Sequence, residues 1–85
     1  GDESVNVYPN PAQGVVNIQF NLAKRSPVKL RLHDAMGHVI HDEEAYFEAG
    51  SHVKVIDVKK SRASGLYIIS VTTPAKTQSK KLVVE

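Results

Sequence analysis

Val28-Lys29-Leu30-Arg31-Leu32-His33 is the most regular stretch of the chain, and it decides the fold class. Apolar and basic residues alternate there without a break. In an extended strand, successive side chains point to opposite faces. Val28, Leu30 and Leu32 are therefore predicted to face a core, with Lys29, Arg31 and His33 facing water. The flanks agree with this reading. Lys24-Arg25-Ser26-Pro27 is a polar loop, and Asp34-Ala35-Met36-Gly37 carries turn chemistry. Asp can accept bonds from its own downstream backbone, and Gly is free to take a positive φ.

Upstream, Val15 to Phe20 alternates with Val16, Ile18 and Phe20 on one face, after a turn at Gln13-Gly14. Val5 to Tyr8 forms an earlier strand that stops at Pro9-Asn10-Pro11, where each proline removes a backbone donor. Downstream, Val39-Ile40 restarts a strand, and the segment to Phe47 is polar enough for a sheet edge. After the Ala49-Gly50-Ser51 turn, His52 to Val58 is extended, but Val53/Val55 and Ile56/Val58 lie on opposite parities. A bulge or burial on both faces would reconcile them. Leu66 to Thr72 reads as a central strand, Thr73 to Ser79 as a loop around Pro74, and Lys81 to Val84 as a short last strand. A turn of helix is plausible only at Ala35-Met36 and at Glu43 to Phe47. Seven strands with regular turns predict an all-β fold, a sandwich or small barrel. Val7, Ile18, Phe20, Leu30, Leu32, Tyr67, Ile69 and Val71 are its expected core.

The 85 residues make one domain (1–85), with residues 1–4 reading as a linker remnant. Such a chain buries only about 60–65% of its unfolded surface, which leaves little interior for an enzyme cleft. The chain opens on Gly1, and its one methionine is Met36. A processed or cut-out piece of a longer protein is the expectation. There is no cysteine, which excludes disulfides, thiolate nucleophiles and Cys-ligated zinc. No apolar run approaches the roughly 18 residues needed to span a bilayer, so no direct membrane insertion is expected.

The net charge of +2 is unevenly spread. Residues 1–57 hold eight acids against five Lys/Arg, whereas 58–85 hold six Lys/Arg against Glu85 alone. Asp42, Glu43, Glu44 and Glu48 make a small acidic cluster. Such polarity suits docking to charged partners, and it also suits a solvated face. His33, His38, His41 and His52 are the candidate nitrogen ligands. His38 and His41 differ in strand parity, so no metal site is expected. No nucleophile-elbow pattern or Gly-rich phosphate loop is present. Aromatics are too few for a nucleic-acid platform. Catalytic, cofactor-binding and metal-binding residues are all expected to be absent.

Four motifs stand in order along the chain. Tyr8-Pro9-Asn10-Pro11 opens it, Leu32-His33-Asp34-Ala35-Met36-Gly37 sits mid-chain, Gly65-Leu66-Tyr67 leads the penultimate strand, and Lys80-Lys81-Leu82-Val83-Val84 closes it. Together they resemble the type A C-terminal sorting domain of the type IX secretion system, carried by cargo proteins of Bacteroidetes-type bacteria. One departure is Arg62, at a position three before Gly65 that is usually apolar in that family. The resemblance implies a seven-stranded immunoglobulin-like β-sandwich with no enzymatic activity. It also implies a cargo domain N-terminal to the chain, passage through the periplasm, and delivery to the cell surface or medium. The implied partners are an outer-membrane translocon, a shuttle protein and a cell-surface sortase that usually removes the domain while attaching the cargo to lipopolysaccharide; nucleic acid is not among them. Within this reading Lys80, Lys81, Leu82, Val83 and Val84 are the expected recognition residues, a terminal strand beside positive charge. Pro9, Asn10, Pro11, Asp34, Gly37, Gly65 and Tyr67 are expected to be mainly structural. The alternative is an accessory carbohydrate- or protein-binding sandwich on a secreted enzyme. An exposed aromatic platform would favour it, and the chain has no Trp.

Overall fold

A computed structural model describes residues 4–58 and 64–85. Arg62, Lys59, Lys60 and most of the expected linker remnant lie outside the described residues. The strands are β1 (Asn6–Tyr8), β2 (Val15–Leu22), β3 (Ser26–Asp34), β4 (Val39–Phe47), β5 (Gly50–Asp57), β6 (Gly65–Thr72) and β7 (Thr77–Val84). They form two antiparallel sheets, ordered β1-β2-β5 and β4-β3-β6-β7. Among the described residues there is no helix. Of the sandwich and the small barrel that the alternation left open, the two sheets correspond to the sandwich.

The core lies between the sheets. β3 contributes Val28, Leu30 and Leu32, and β2 contributes Val16, Ile18, Phe20 and Leu22. Tyr67, Ile69 and Val71 of β6 sit beside them, with Leu82 and Val84 of β7. Burying each large apolar side chain contributes about 1.5–3 kcal/mol, so these rows hold the sheets together. Val7 departs slightly from expectation: it is half-buried and packs against the rim of this cluster. The reason is that β1 has only three residues and lies at a sheet edge.

Three local readings need correction. β5 has neither a bulge nor two buried faces, because its register with β2 runs unbroken from Leu22↔Gly50 to Val15↔Asp57. Ile56 and Val58 point inward, whereas Val53 and Val55 stay 49% and 58% exposed. β7 begins at Thr77 rather than Lys81, so the expected loop shrinks to a tight hairpin in which the Thr73 amide donates to the Lys76 carbonyl (2.9 Å). Thr77 to Lys81 lacks an apolar signal because both its faces reach solvent at the sheet edge. Glu43 to Phe47 is strand, and Asp34 to Gly37 is a turn, so neither makes a helical turn. Pairing with β3 supplies the β4 ladder that an isolated helical turn would lack.

The alternation along β4 also splits the acidic cluster. Asp42 and Glu44 pair with Arg31 and Lys29 on the outer face, whereas Glu43 pairs with Leu30 on the inner face. Glu43 Oε1 lies 3.3 Å from His41 Nε2 and 3.4 Å from Lys54 Nζ. These are charge contacts without hydrogen-bond alignment at Glu43 Oε1 or His41 Nε2. They place inward charges where edge strands β4 and β5 face each other, a known way of guarding exposed edges.

Candidate functional site: a clamped terminal strand

Strand β7 receives its partners from both ends of the chain. On one side β6 pairs with it along its whole length, from Gly65↔Val84 to Thr72↔Thr77. Two hydroxyl pairs reinforce this ladder, Ser70 with Ser79 (3.1 Å) and Thr72 with Thr77 (3.0 Å). On the other side, among the described residues, no strand runs beside its C-terminal half, and the Pro9-Asn10-Pro11-Ala12 segment takes that place. The Ala12 amide donates to the Val83 carbonyl (2.8 Å), and the Glu85 amide donates to the Ala12 carbonyl (2.9 Å). The Asn10 side chain completes the edge. Its Nδ2 donates to the Lys81 carbonyl (3.0 Å), and its Oδ1 accepts from the Val83 amide (2.9 Å). A primary amide carries the same donor and acceptor as a peptide unit, so it substitutes for one residue of a neighbouring strand. Gln13 Nε2 adds a bond to Glu85 Oε1 (2.9 Å).

The local chain keeps this clamp in place. Ala12 is fully buried, and Asn17 Nδ2 donates to the Tyr8 carbonyl (3.2 Å), tying the start of the segment to β2. The peptide bonds before Pro9 and Pro11 are both cis.

Of the five terminal residues, Leu82 and Val84 point into the core, at 0% and 5% exposure. Lys81 and Val83 point to the outer face, in register with Ile68 and Leu66. Val83 and Leu66 are 43% and 42% exposed, forming a small apolar pair. Lys80 pairs with the buried Ile69, so it takes the opposite face from Lys81. The five residues therefore do not form one surface.

Asp34 organises the β3–β4 turn. Its Oδ1 accepts from the amides of His38 (2.8 Å) and Met36 (3.0 Å), and its Oδ2 lies 3.1 Å from His38 Nδ1. The His38 amide, opposed by burial and helped by the His38 ring and the Met36 amide, holds Asp34 below the ordinary carboxylate range. Gly37 closes the turn at φ +91°. Asp34 also lies in register with Tyr67, which in turn faces Leu82 across β6–β7. Tyr67 is buried. Gly65 opens β6 opposite Val84 at φ +142°, a region that side chains rarely adopt.

Asn10 is more than a proline-flanked strand terminator, and Ala12 and Gln13 belong with it. An amide between two prolines, where no ladder can continue, was the available signal. Among the described residues no three His, Cys, Asp or Glu side chains gather as metal ligands. His52 stacks on Phe20 (5.5 Å between centroids) and meets Phe47 edge-on (5.1 Å). Among the described residues no helix is long and apolar enough to cross a membrane.

No curated protein matches the chain. The sequence pattern of the secretion system C-terminal sorting domain does match, over residues 6–85. Such domains direct an N-terminally attached cargo through the type IX secretion system to the cell surface or beyond, and are not catalytic. With nearly its whole length matched, from β1 to Glu85, the chain belongs to the family of type IX secretion C-terminal sorting domains.

Proposed function

We propose that the secretion machinery reads this domain by the outer face of β7, through Lys81 and Val83 with Leu66 beside them. One observation carries the reading: Asn10 and Ala12 already occupy the backbone edge of Lys81 to Glu85. A partner strand cannot add there without displacing four hydrogen bonds, so side chains rather than free backbone are what Lys81 to Glu85 offer. Leu82 and Val84 bolt the strand to the core, and Lys80 faces away from the recognition surface. In this reading the domain folds in the periplasm, passes the outer-membrane translocon, and is collected by a shuttle protein. A cell-surface sortase then cuts on the N-terminal side of β1 and transfers the cargo to lipopolysaccharide.

The test fuses residues 1–85 to a reporter in a type IX-competent host. Lys81→Ser with Val83→Ser should hold the reporter in the periplasm while the melting temperature of the purified domain barely moves. Lys80→Ser should export normally. Normal export of a folded Lys81→Ser/Val83→Ser fusion would move the recognition surface elsewhere on the sandwich.

A further inference from the structure

The outer face of the four-stranded sheet carries a groove of about 450 Å³, distinct from Lys81 and Val83, which do not line it. One wall is the column Lys29, Arg31, His33 of β3, spaced two residues apart and so projecting side by side about 6.5–7 Å from one to the next. Like charges in one column repel, and among the described residues only Arg31 has a side-chain partner. Its Nη2 donates to Asp42 Oδ2 (3.2 Å), while its buried Nε has no hydrogen-bond partner among the described residues. Glu44 stands opposite Lys29 in register, but no ion pair joins them among the described residues. Among the described residues no carboxylate lines the groove.

The other wall is made of hydroxyls. Ser70, Thr72 and Thr77 line it, and each belongs to a hydroxyl pair across β6–β7. A hydroxyl pair sharing one hydrogen bond uses one proton, which leaves the second free to donate. The groove thus presents an ammonium, a partly satisfied guanidinium and spare hydroxyl protons, with Val39 as its apolar boundary. A cation would be repelled here. An apolar ligand would strand these donors without partners.

We infer that this groove binds an oxyanion, a phosphate or sulfate monoester, with Lys29 and Arg31 as its charged contacts and Ser70 and Thr72 as its hydroxyl donors. Its three terminal oxygens can accept from both walls at once, and charge-assisted bonds to Arg and Lys are the stronger kind. The inference is independent of how the domain is sorted.

The test follows backbone amide shifts of the ¹⁵N-labelled 85-residue chain while phosphate or sulfate replaces chloride at constant ionic strength. Saturable shifts should centre on Lys29 to His33 and Ser70 to Thr72. Lys29→Gln, which disturbs no ion pair, should weaken binding, and adding Arg31→Gln should weaken it at least about tenfold with the fold intact. Two further arms locate the source of the group. Tighter binding of glycerol 3-phosphate than of inorganic phosphate supports a soluble ester. Co-sedimentation with phosphatidic acid vesicles, lost in the double variant, supports a lipid headgroup. Shifts that merely follow ionic strength, that persist in Lys29→Gln/Arg31→Gln, or that are exceeded by a hexaglutamate peptide would overturn the inference.

Discussion

Asn10 and Val83 lie 73 positions apart and are joined by a 2.9 Å hydrogen bond from the Val83 amide to the Asn10 side-chain oxygen. The Asn10 side-chain Nδ2 in turn donates to the Lys81 carbonyl. Replacing Asn10 by Ala removes both bonds and should cost about 1–2 kcal/mol, each being exposed. Asn10→Asp should cost at least as much, because it sets a carboxylate oxygen against the Lys81 carbonyl. Urea denaturation should show a lower midpoint with an unchanged m-value. An unchanged midpoint in both variants would mean the clamp contributes nothing.

Leu82 and Val83 are neighbours with opposite roles. Leu82→Ala opens a cavity in the core and should cost about 2–5 kcal/mol. Val83→Ala trims an exposed side chain and should stay within about 0.5 kcal/mol. Thermal unfolding followed by far-UV circular dichroism distinguishes them. Equal losses would argue that β7 does not alternate between core and solvent.

Gly65 and Gly37 separate two kinds of backbone demand. Nothing lies within 4 Å of a Cβ built at either, so substitution meets strain rather than collision. At Gly65 the φ of +142° suits only glycine, and Gly65→Ala or Gly65→Asn should each cost about 1–3 kcal/mol. At Gly37 the φ of +91° is nearer the left-handed well that Asn tolerates. Gly37→Asn should be milder than Gly37→Ala, and melting temperatures of the four variants decide it.

Asp34 should give the domain an acid-sensitive turn. Its folded pKa is held low, chiefly by the His38 amide. The stabilisation is therefore present above the unfolded value, near 4, and is lost as pH falls through the folded value. Asp34→Asn should melt below the parent at pH 6, and the gap should shrink towards pH 2.5. A gap that stays constant across that range would detach the effect from Asp34 ionisation.

Sequence pattern revealed the fold wherever one face of a strand is dry. Val28, Leu30 and Leu32 alternate with basic residues because one face meets the core and the other water. Thr77 to Lys81 gave no such contrast: it lies on an edge where inward and outward positions are both wet. Val53 and Val55 misled for the opposite reason, being apolar residues on an outer face. The clamp was less legible still. Asn10 shows its role only beside Lys81 and Val83, and no local pattern brings together residues more than 70 positions apart. The opposite facing of Lys80 and Lys81 follows from the strand period of two, although adjacent lysines invite reading as one patch.

The clamp also sets a condition in time. Chains are made from the N-terminal end, so Pro9 to Ala12 emerges long before its partners at Lys81 to Glu85. Until those last residues appear, Ala12 has no edge to seal and the core lacks Leu82 and Val84. A nascent or prematurely stopped chain therefore cannot assemble this sandwich. The N-terminal strands wait for the segment that seals them, and the sandwich closes only after Lys81 to Glu85 have been made.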